Sequence, residues 1–431
     1  MIQGIIMPHP PIARASVGRG EEKKIQATLD AYHTASQRIA DYAPETIVII
    51  SPHNIFFSDA FYVSPGKTYE DSLARFRAPD DRLSIPYDEE LRTEIVRLMQ
   101  ERGIPVVQKK AYANEPDHGS LIPLLFVSEV YTGFRVVRIA PSMLSDDILK
   151  ETGSLIERAA AHLKRKITVI ASGDLSHKLL PEGPYGFVEE GPEFDSRVTE
   201  MMRKGNLKGF CEFTSAFRDK CAECGLPGFI MLSGALGNYH IKPDLLSYEG
   251  TFGVGYAICT FEAEDVCVRL AKDSLTKYIL SRKMIPIPKG LPEWMTELQA
   301  GAFVSLHKKG ELRGCIGTIL SMTACVAQEI ISMAVEAGTH DPRFQPVRAD
   351  ELADLEYNVD VLSEPEKTDI AGLDAKRYGV IVTNGNRRGL LLPDLEGVDT
   401  IEQQISIALQ KAGIDPDEGY SLERFQVERH T

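Results

Sequence analysis

The chain has 431 residues, 43% hydrophobic and 26% charged, with a formal net charge of −14. That length exceeds one ordinary hydrophobic core, and the composition is that of a soluble globular protein, so two domains are predicted. The acidic balance argues against a nucleic-acid binder, whose affinity comes from Lys and Arg, and no run reaches the roughly 18 uninterrupted apolar residues of a membrane helix.

The chain opens MIQGIIMPHP, with neither a cationic segment nor a long apolar one, so no secretory leader is expected. Ile2–Met7 reads as a strand that ends at Pro8-His9-Pro10. Glu21–Asp41 carries apolar residues at helical spacing (Ile25, Leu29, Tyr32), and Thr46–Ile50 is a second strand, running into Ser51-Pro52-His53. Phe61–Pro86 is polar and turn-rich and is expected as an excursion over a sheet. Asp88–Arg102 is predicted helical, with acids in its first turn that suit the helix dipole. A short strand, Ile104–Val107, precedes Asp117-His118-Gly119-Ser120 and the apolar Leu121–Val127. Phe134–Ile139 is predicted as a strand and Ser145–Lys164 as a helix.

Ile167–Ile170, β-branched throughout, predicts a strand buried on both faces. It runs into small and polar residues carrying Asp174 and His177. Phe194–Phe213 is predicted helical, and Cys221–Leu236 is a loop that becomes an apolar helix. Leu245–Phe261 reads as strands around a Gly-rich turn. Seven scattered cysteines, an odd number, suit a reducing, cytoplasmic protein better than a disulfide framework. Alternation of strand and helix argues an α/β fold. The acidic joint Glu262–Asp265 separates residues 1–262 from residues 263–431. The second part reads as helix (Val266–Ser281), strand (Gly301–Leu306), loop-strand (Leu312–Ile319), helix (Thr323–Gly338), strand (Tyr357–Leu362), Gly-rich turns and helix (Thr400–Ala412), so each domain is expected to be a mixed sheet flanked by helices.

In an open α/β sheet, ligands bind outside the carboxyl ends of the strands. Three strand ends here deliver His9, His53 and the Asp174/His177 pair. One such histidine reads as a hydrogen-bonded loop residue. Two in parallel contexts, with His118 and His177 besides, point to a metal or acid–base site. Cys221 and Cys224 form a C-x-x-C without a second such pair or a thioredoxin context. Gly250, Gly253 and Gly255 do not follow a dinucleotide-binding pattern and suit close packing.

The ordered series MPHPP (7–11), SPHN (51–54), DHGSLIPL (117–124), SGDLSH (172–177) and CGLPGFIML (224–232) resembles the Memo family, which is related to class III extradiol ring-cleavage dioxygenases. The resemblance covers roughly residues 1–262. It implies that His9 and His53 are two ligands of a mononuclear non-haem metal site with open positions. It implies that His177 is the acid–base residue toward a small, catechol-like phenolic substrate. Asp174 is placed to orient His177, and His118 joins the catalytic set. Where the dioxygenases carry a glutamate ligand, the Memo-like pattern has Cys224; Glu223 and Glu249 are the alternatives. Ferrous iron is the expected cofactor, with copper or zinc as alternatives, copper being the metal a thiolate favours. The alternative function is a non-catalytic binding or scaffold protein that keeps this site.

In the second half, Leu312–Thr318 (LRGCIGT), HDPRFQPV (340–347) and VTNGNRRGLLLPD (382–394) together resemble the AmmeMemoRadiSam system protein A (AMMECR-type) family. The resemblance implies an α/β fold and a pocket built from Arg313, Cys315, His340, Asp341 and Arg343. It makes the first half the protein B component of that system and implies a separate radical-SAM protein as partner, since no CxxxCxxC motif occurs in this chain.

Overall fold

The computed structural model describes residues 2–112, 115–395 and 397–430. The chain divides into two compact units, Met1–Ala263 and Glu264–Thr431. Each is a helix-and-sheet structure.

The first unit is built on one eight-stranded sheet. Across it the strands run Val106–Val107, Phe61–Val63, Arg135–Ala140, Thr46–Ile50, Ile167–Ser172, Ile2–Met7, Tyr256–Asp265 and Tyr239–Glu249. The middle four are parallel, with Val48 opposite both Val137 and Val169, and Gly4 opposite Val169. Tyr256–Asp265 closes on Ile2–Met7 in the antiparallel sense. The sheet is therefore mixed.

Side chains alternate across a strand, and the alternation divides two cores. Ile2, Ile6, Val48, Ile50, Val137 and Val169 face the helices Glu89–Glu101, Asp146–His162, Glu190–Lys204 and Leu226–Ala235. Ile5, Met7, Ile47, Ile49, Val136 and Ile170 face Gln26–Tyr42 and His118–Ser128. Because both faces are covered, the central strands read as continuous apolar runs.

Two segments depart from the sequence reading. Phe61–Val63 is not an excursion: it is fully buried and joins the sheet beside Arg135–Ala140. Thr68–Leu73 and Ala78–Pro86 then form a hairpin that inserts Tyr69, Leu73 and Ile85 into the second core. The helix expected over Phe194–Phe213 stops at Lys204, because Gly205 takes the left-handed conformation (φ 66°) that ends helices, and a 3-10 turn, Leu207–Glu212, follows.

The second unit resolves into two four-stranded antiparallel sheets. One runs Glu311–Gly317, Ala302–Lys308, Leu355–Leu362, Val427–His430, and the other runs Glu366–Thr368, Ser421–Phe425, Gly379–Asn384, Arg387–Leu391. Helices Val266–Ser281 and Val326–Thr339 pack on the first around Leu270, Val304, Ile330 and Val359. Ile401–Ala412 packs on the second around Val380 and Leu409. Among the described residues, no helix is long and apolar enough to cross a membrane.

Candidate metal centre

Three adjacent parallel strands, Thr46–Ile50, Ile167–Ser172 and Ile2–Met7, end at one edge of the first unit's sheet, and each hands its chain to a loop bearing a titratable group. His9 is 1% exposed. Its backbone N–H donates to Asp174 Oδ1 at 2.8 Å, and its Nδ1 lies 2.9 Å from Ser172 Oγ. The Ser172 hydroxyl donates its one proton to the Gly119 carbonyl (2.5 Å), which can only accept. Ser172 is therefore the acceptor toward His9, so Nδ1 carries the ring proton and Nε2 keeps a lone pair. That lone pair meets His53: the two Nε2 atoms are 3.0 Å apart.

His118 completes the cluster. Its ring centroid lies 4.1 Å from that of His53 and 5.5 Å from that of His9. One ligand atom from each of the three falls within 4.8 Å of the others. Burial pushes the His9 imidazole well below its ordinary pKa, with His53 as the next cause. Burial, then His9 and His53, push His118 down to about 3. Three imidazoles with converging nitrogens form a donor set that suits iron, copper or zinc.

A buried ion pair holds His118 in place. Asp117 caps the helix His118–Ser128 by accepting from Ser120 N (3.1 Å) and from the Ser120 hydroxyl (2.6 Å). It also accepts from Ser51 Oγ (2.7 Å) and pairs with Arg138 (3.0 Å); both ion-pair side chains are fully buried. Arg138 in turn lies 4.1 Å over the Tyr69 ring. Asp117 thus ties His118 to the strand end that carries His53. Gly119 permits this approach, since a Cβ there would lie 2.4 Å from Ser51 Oγ.

On the other side of the cleft, His177 Nδ1 bonds to the Ala222 carbonyl, so this ring also keeps Nε2 unprotonated when neutral. Asp174 touches His9 rather than His177: its Oδ2 is 3.9 Å from His9 Nε2, and burial pushes its carboxyl up to about 6. Cys224 Sγ lies 3.6 Å from His9 Nε2 and accepts from Asp174 N at 3.3 Å. Burial raises its thiol well above the usual range. Gly173 and Gly225 let these two loops cross, since a Cβ on Gly173 would lie 2.1 Å from Gly225 Cα. The alternative carboxylates are engaged elsewhere. Glu223 accepts from Leu226 N (2.7 Å), and Glu249 accepts from Thr28 N (2.7 Å) and Thr28 Oγ1 (2.6 Å).

His9, His53, His118, Asp174 and His177 line one cleft of about 750 Å³, walled by Pro10, Pro11, Phe76, Leu180, Tyr185, Phe252 and Tyr256. Tyr185 stands edge-on to His177 at 5.2 Å. Residues 3–259 match the family described as the catalytic LigB subunit of aromatic ring-opening dioxygenase, and residues 268–430 match AMMECR1. The chain belongs to the LigB family and carries an AMMECR1 domain behind it. The LigB match relates the first unit to the class III extradiol dioxygenases.

Relatives match the whole chain or a part of it. Protein CA_C1420 of Clostridium acetobutylicum is 40% identical across 99% of this chain and 98% of its own length. A Thermotoga maritima protein is 51% identical over 38% of this chain and 95% of its own. The crystal structure of an uncharacterized protein, PH0010 from Pyrococcus horikoshii, covers 38% of this chain and 88% of that one, with 31% identity and a TM-score of 0.36.

In the AMMECR1 domain, three of the five pocket candidates meet. Asp341 accepts from Cys315 N (2.8 Å) and from Arg343 Nε (3.0 Å), and Arg343 also donates to the Cys315 carbonyl (3.1 Å). The other two are elsewhere. Arg313 forms a two-point ion pair with Glu351, shared with Lys308, and His340 is exposed and pairs with Glu336 at 3.1 Å.

Sequence reasoning missed Ser172, Ser51 and Arg138. Only Arg138 left a trace: a cation inside the apolar strand VVRIA, where burial requires a partner.

Proposed function

We propose that the LigB domain is a metal-dependent oxidoreductase that opens the ring of a small phenolic substrate. The observation that carries this reading is the convergence of the His9 and His53 Nε2 atoms at 3.0 Å, beside His118, on the floor of a cleft with aromatic walls. Ferrous iron is the proposed ion, held by His9 and His53 with His118 or Cys224 as the third donor; when bound, it supplies the redox chemistry of dioxygen.

The chain's own residues do the rest. His9 need lose no proton to bind, because burial disfavours its charged form and the Ser172 bond at Nδ1 leaves the Nε2 lone pair free. Ser172 fixes the His9 ring, as second-layer partners of ligating histidines do. His177, anchored through Nδ1, offers Nε2 to take the phenolic proton and return it. Phe252 and Tyr256 line the cleft and offer ring surfaces on which an aromatic substrate can pack.

The test is metal content after anaerobic purification, followed by catechol-dependent oxygen uptake. About one iron per chain, lost in His9→Ala/His53→Ala with the fold retained, is the expected result. Unchanged metal content in the double variant would sink the assignment.

A second reading, a binding protein without turnover, is favoured by Cys224, a half-buried thiol where the resemblance places the glutamate of the dioxygenases. It predicts metal without oxygen uptake for any catechol tested. For the fusion as a whole, we infer a radical-SAM protein as partner. Affinity capture from the native host that recovers no such enzyme would remove that inference.

A further inference from the structure

A second group of metal-ligating side chains lies in the AMMECR1 domain, where the domain's first and last elements meet. Asp265, Cys267 and His430 each place a ligand atom within 4.8 Å of the others. All three are buried, at 8%, 0% and 5% exposure. Asp265 Oδ1 caps the helix Val266–Ser281 by accepting from Cys267 N (2.8 Å) and Val268 N (3.0 Å), while Oδ2 bonds to His430 Nδ1 at 2.8 Å. Trp294 stacks on the His430 ring, with centroids 6.0 Å apart.

Capping and a histidine partner explain Asp265. They leave His430 Nε2, buried, with no hydrogen-bond partner, and such orphaned buried polar atoms are uncommon. A Cys-His-Asp set also has the composition of a nucleophile with its base and orienter. Cys267, however, has no exposed surface, so no substrate reaches it.

We propose that Asp265, Cys267 and His430 form a structural metal site for one borderline-soft divalent ion of the zinc class. The donor set of one thiolate, one imidazole and one carboxylate is that of zinc rather than of magnesium or calcium, which take oxygen ligands. Binding would release the Cys267 thiol proton and the proton that His430 Nδ1 shares with Asp265 Oδ2, so affinity rises with pH. Asp265 Oδ1 keeps its capping role. The ion joins the first turn of the domain's first helix to its last strand, Val427–His430, which pairs with Leu355–Leu362. Such a staple closes a loop of nearly the whole domain and so restricts the unfolded chain.

The experiment is a cobalt(II) titration of the full-length chain carrying His9→Ala, His53→Ala and Cys224→Ala, which disables the cleft. About one equivalent should bind with a thiolate-to-cobalt charge-transfer band, and zinc should raise the Tm of this parent chain by several degrees. The band should vanish in Cys267→Ser. No band in the folded parent, or a band that persists in Cys267→Ser, overturns the site. Should Cys267→Ser fail to fold, His430→Gln decides, because it keeps the thiol: lost binding supports the site and retained binding overturns it.

Discussion

Asp117 and Arg138 pair at 3.0 Å with no exposed surface on either side chain, and that pair sets the first turn of the helix carrying His118. Removing one partner of a buried pair strands the other charge. Arg138→Met is therefore expected to cost about 3–5 kcal/mol of folding stability, read from urea denaturation. Because the pair bonds to Ser120 and Ser51 as well, bound metal should also fall. A variant as stable as wild type would show that the pair is not what supports the cluster.

Ser172→Ala tests the tautomer argument. Without its hydroxyl, the His9 Nδ1 proton loses its acceptor and the ring can turn. Metal affinity should drop about 10- to 100-fold, the usual effect of removing such a partner, while the circular dichroism spectrum stays that of wild type. Competition with a chromophoric chelator measures it.

Glu249→Gln should leave metal content unchanged. Glu249 sits on the first turns of the Gln26–Tyr42 helix through Thr28, away from the histidines. Loss of metal in this variant would return Glu249 to the ligand set.

Asp195 carries a pH signature. It is buried, accepts from Ser176 N (2.8 Å) and Tyr248 OH (2.7 Å), and burial pushes its carboxyl up to about 7. A raised acid binds its proton more tightly in the folded state, so between pH 4 and 7 the folded chain holds more protons than the unfolded one. Its contribution is fully present below the unfolded carboxyl range and is lost as pH rises toward 7. Asp195→Asn mimics the protonated form. The variant should match wild type near pH 4 and become relatively more stable as pH approaches 8. Parallel urea midpoints for the two proteins across that range would refute the assignment.

Gly173→Ala places a methyl 2.1 Å from Gly225 Cα at the crossing of the Asp174 and Cys224 loops. Gly225 Cα, N and C, the atoms that methyl meets, all belong to backbone, so the loops must separate. A loss of about 1–3 kcal/mol is expected, together with weaker metal binding, both measurable on one purified variant.

The apolar runs Thr46–Ile50 and Ile167–Ser172 were legible as strands because every position is buried, and such strands need no long-range information to be recognised. These two runs exposed His53 and His177, and Ile2–Met7 exposed His9, since polar residues directly after a buried strand stand at the sheet's carboxyl edge. The motif series carried the family, which the matches over residues 3–259 and 268–430 establish.

Other features depended on contacts between residues far apart in the chain. His118 reaches His9 and His53 only because Arg138, 21 residues beyond Asp117, is buried against it. The Phe61–Val63 strand is too short to announce itself, and its neighbour Arg135–Ala140 decides its state. Glu249 and His340 resemble site residues in sequence, yet Thr28 takes one and Glu336 the other. Local pattern is enough to determine which segments are strands and which side chains stand at their ends. Which of those side chains share a site is set by packing, because hydrogen bonds and ion pairs join residues that sequence spacing does not relate.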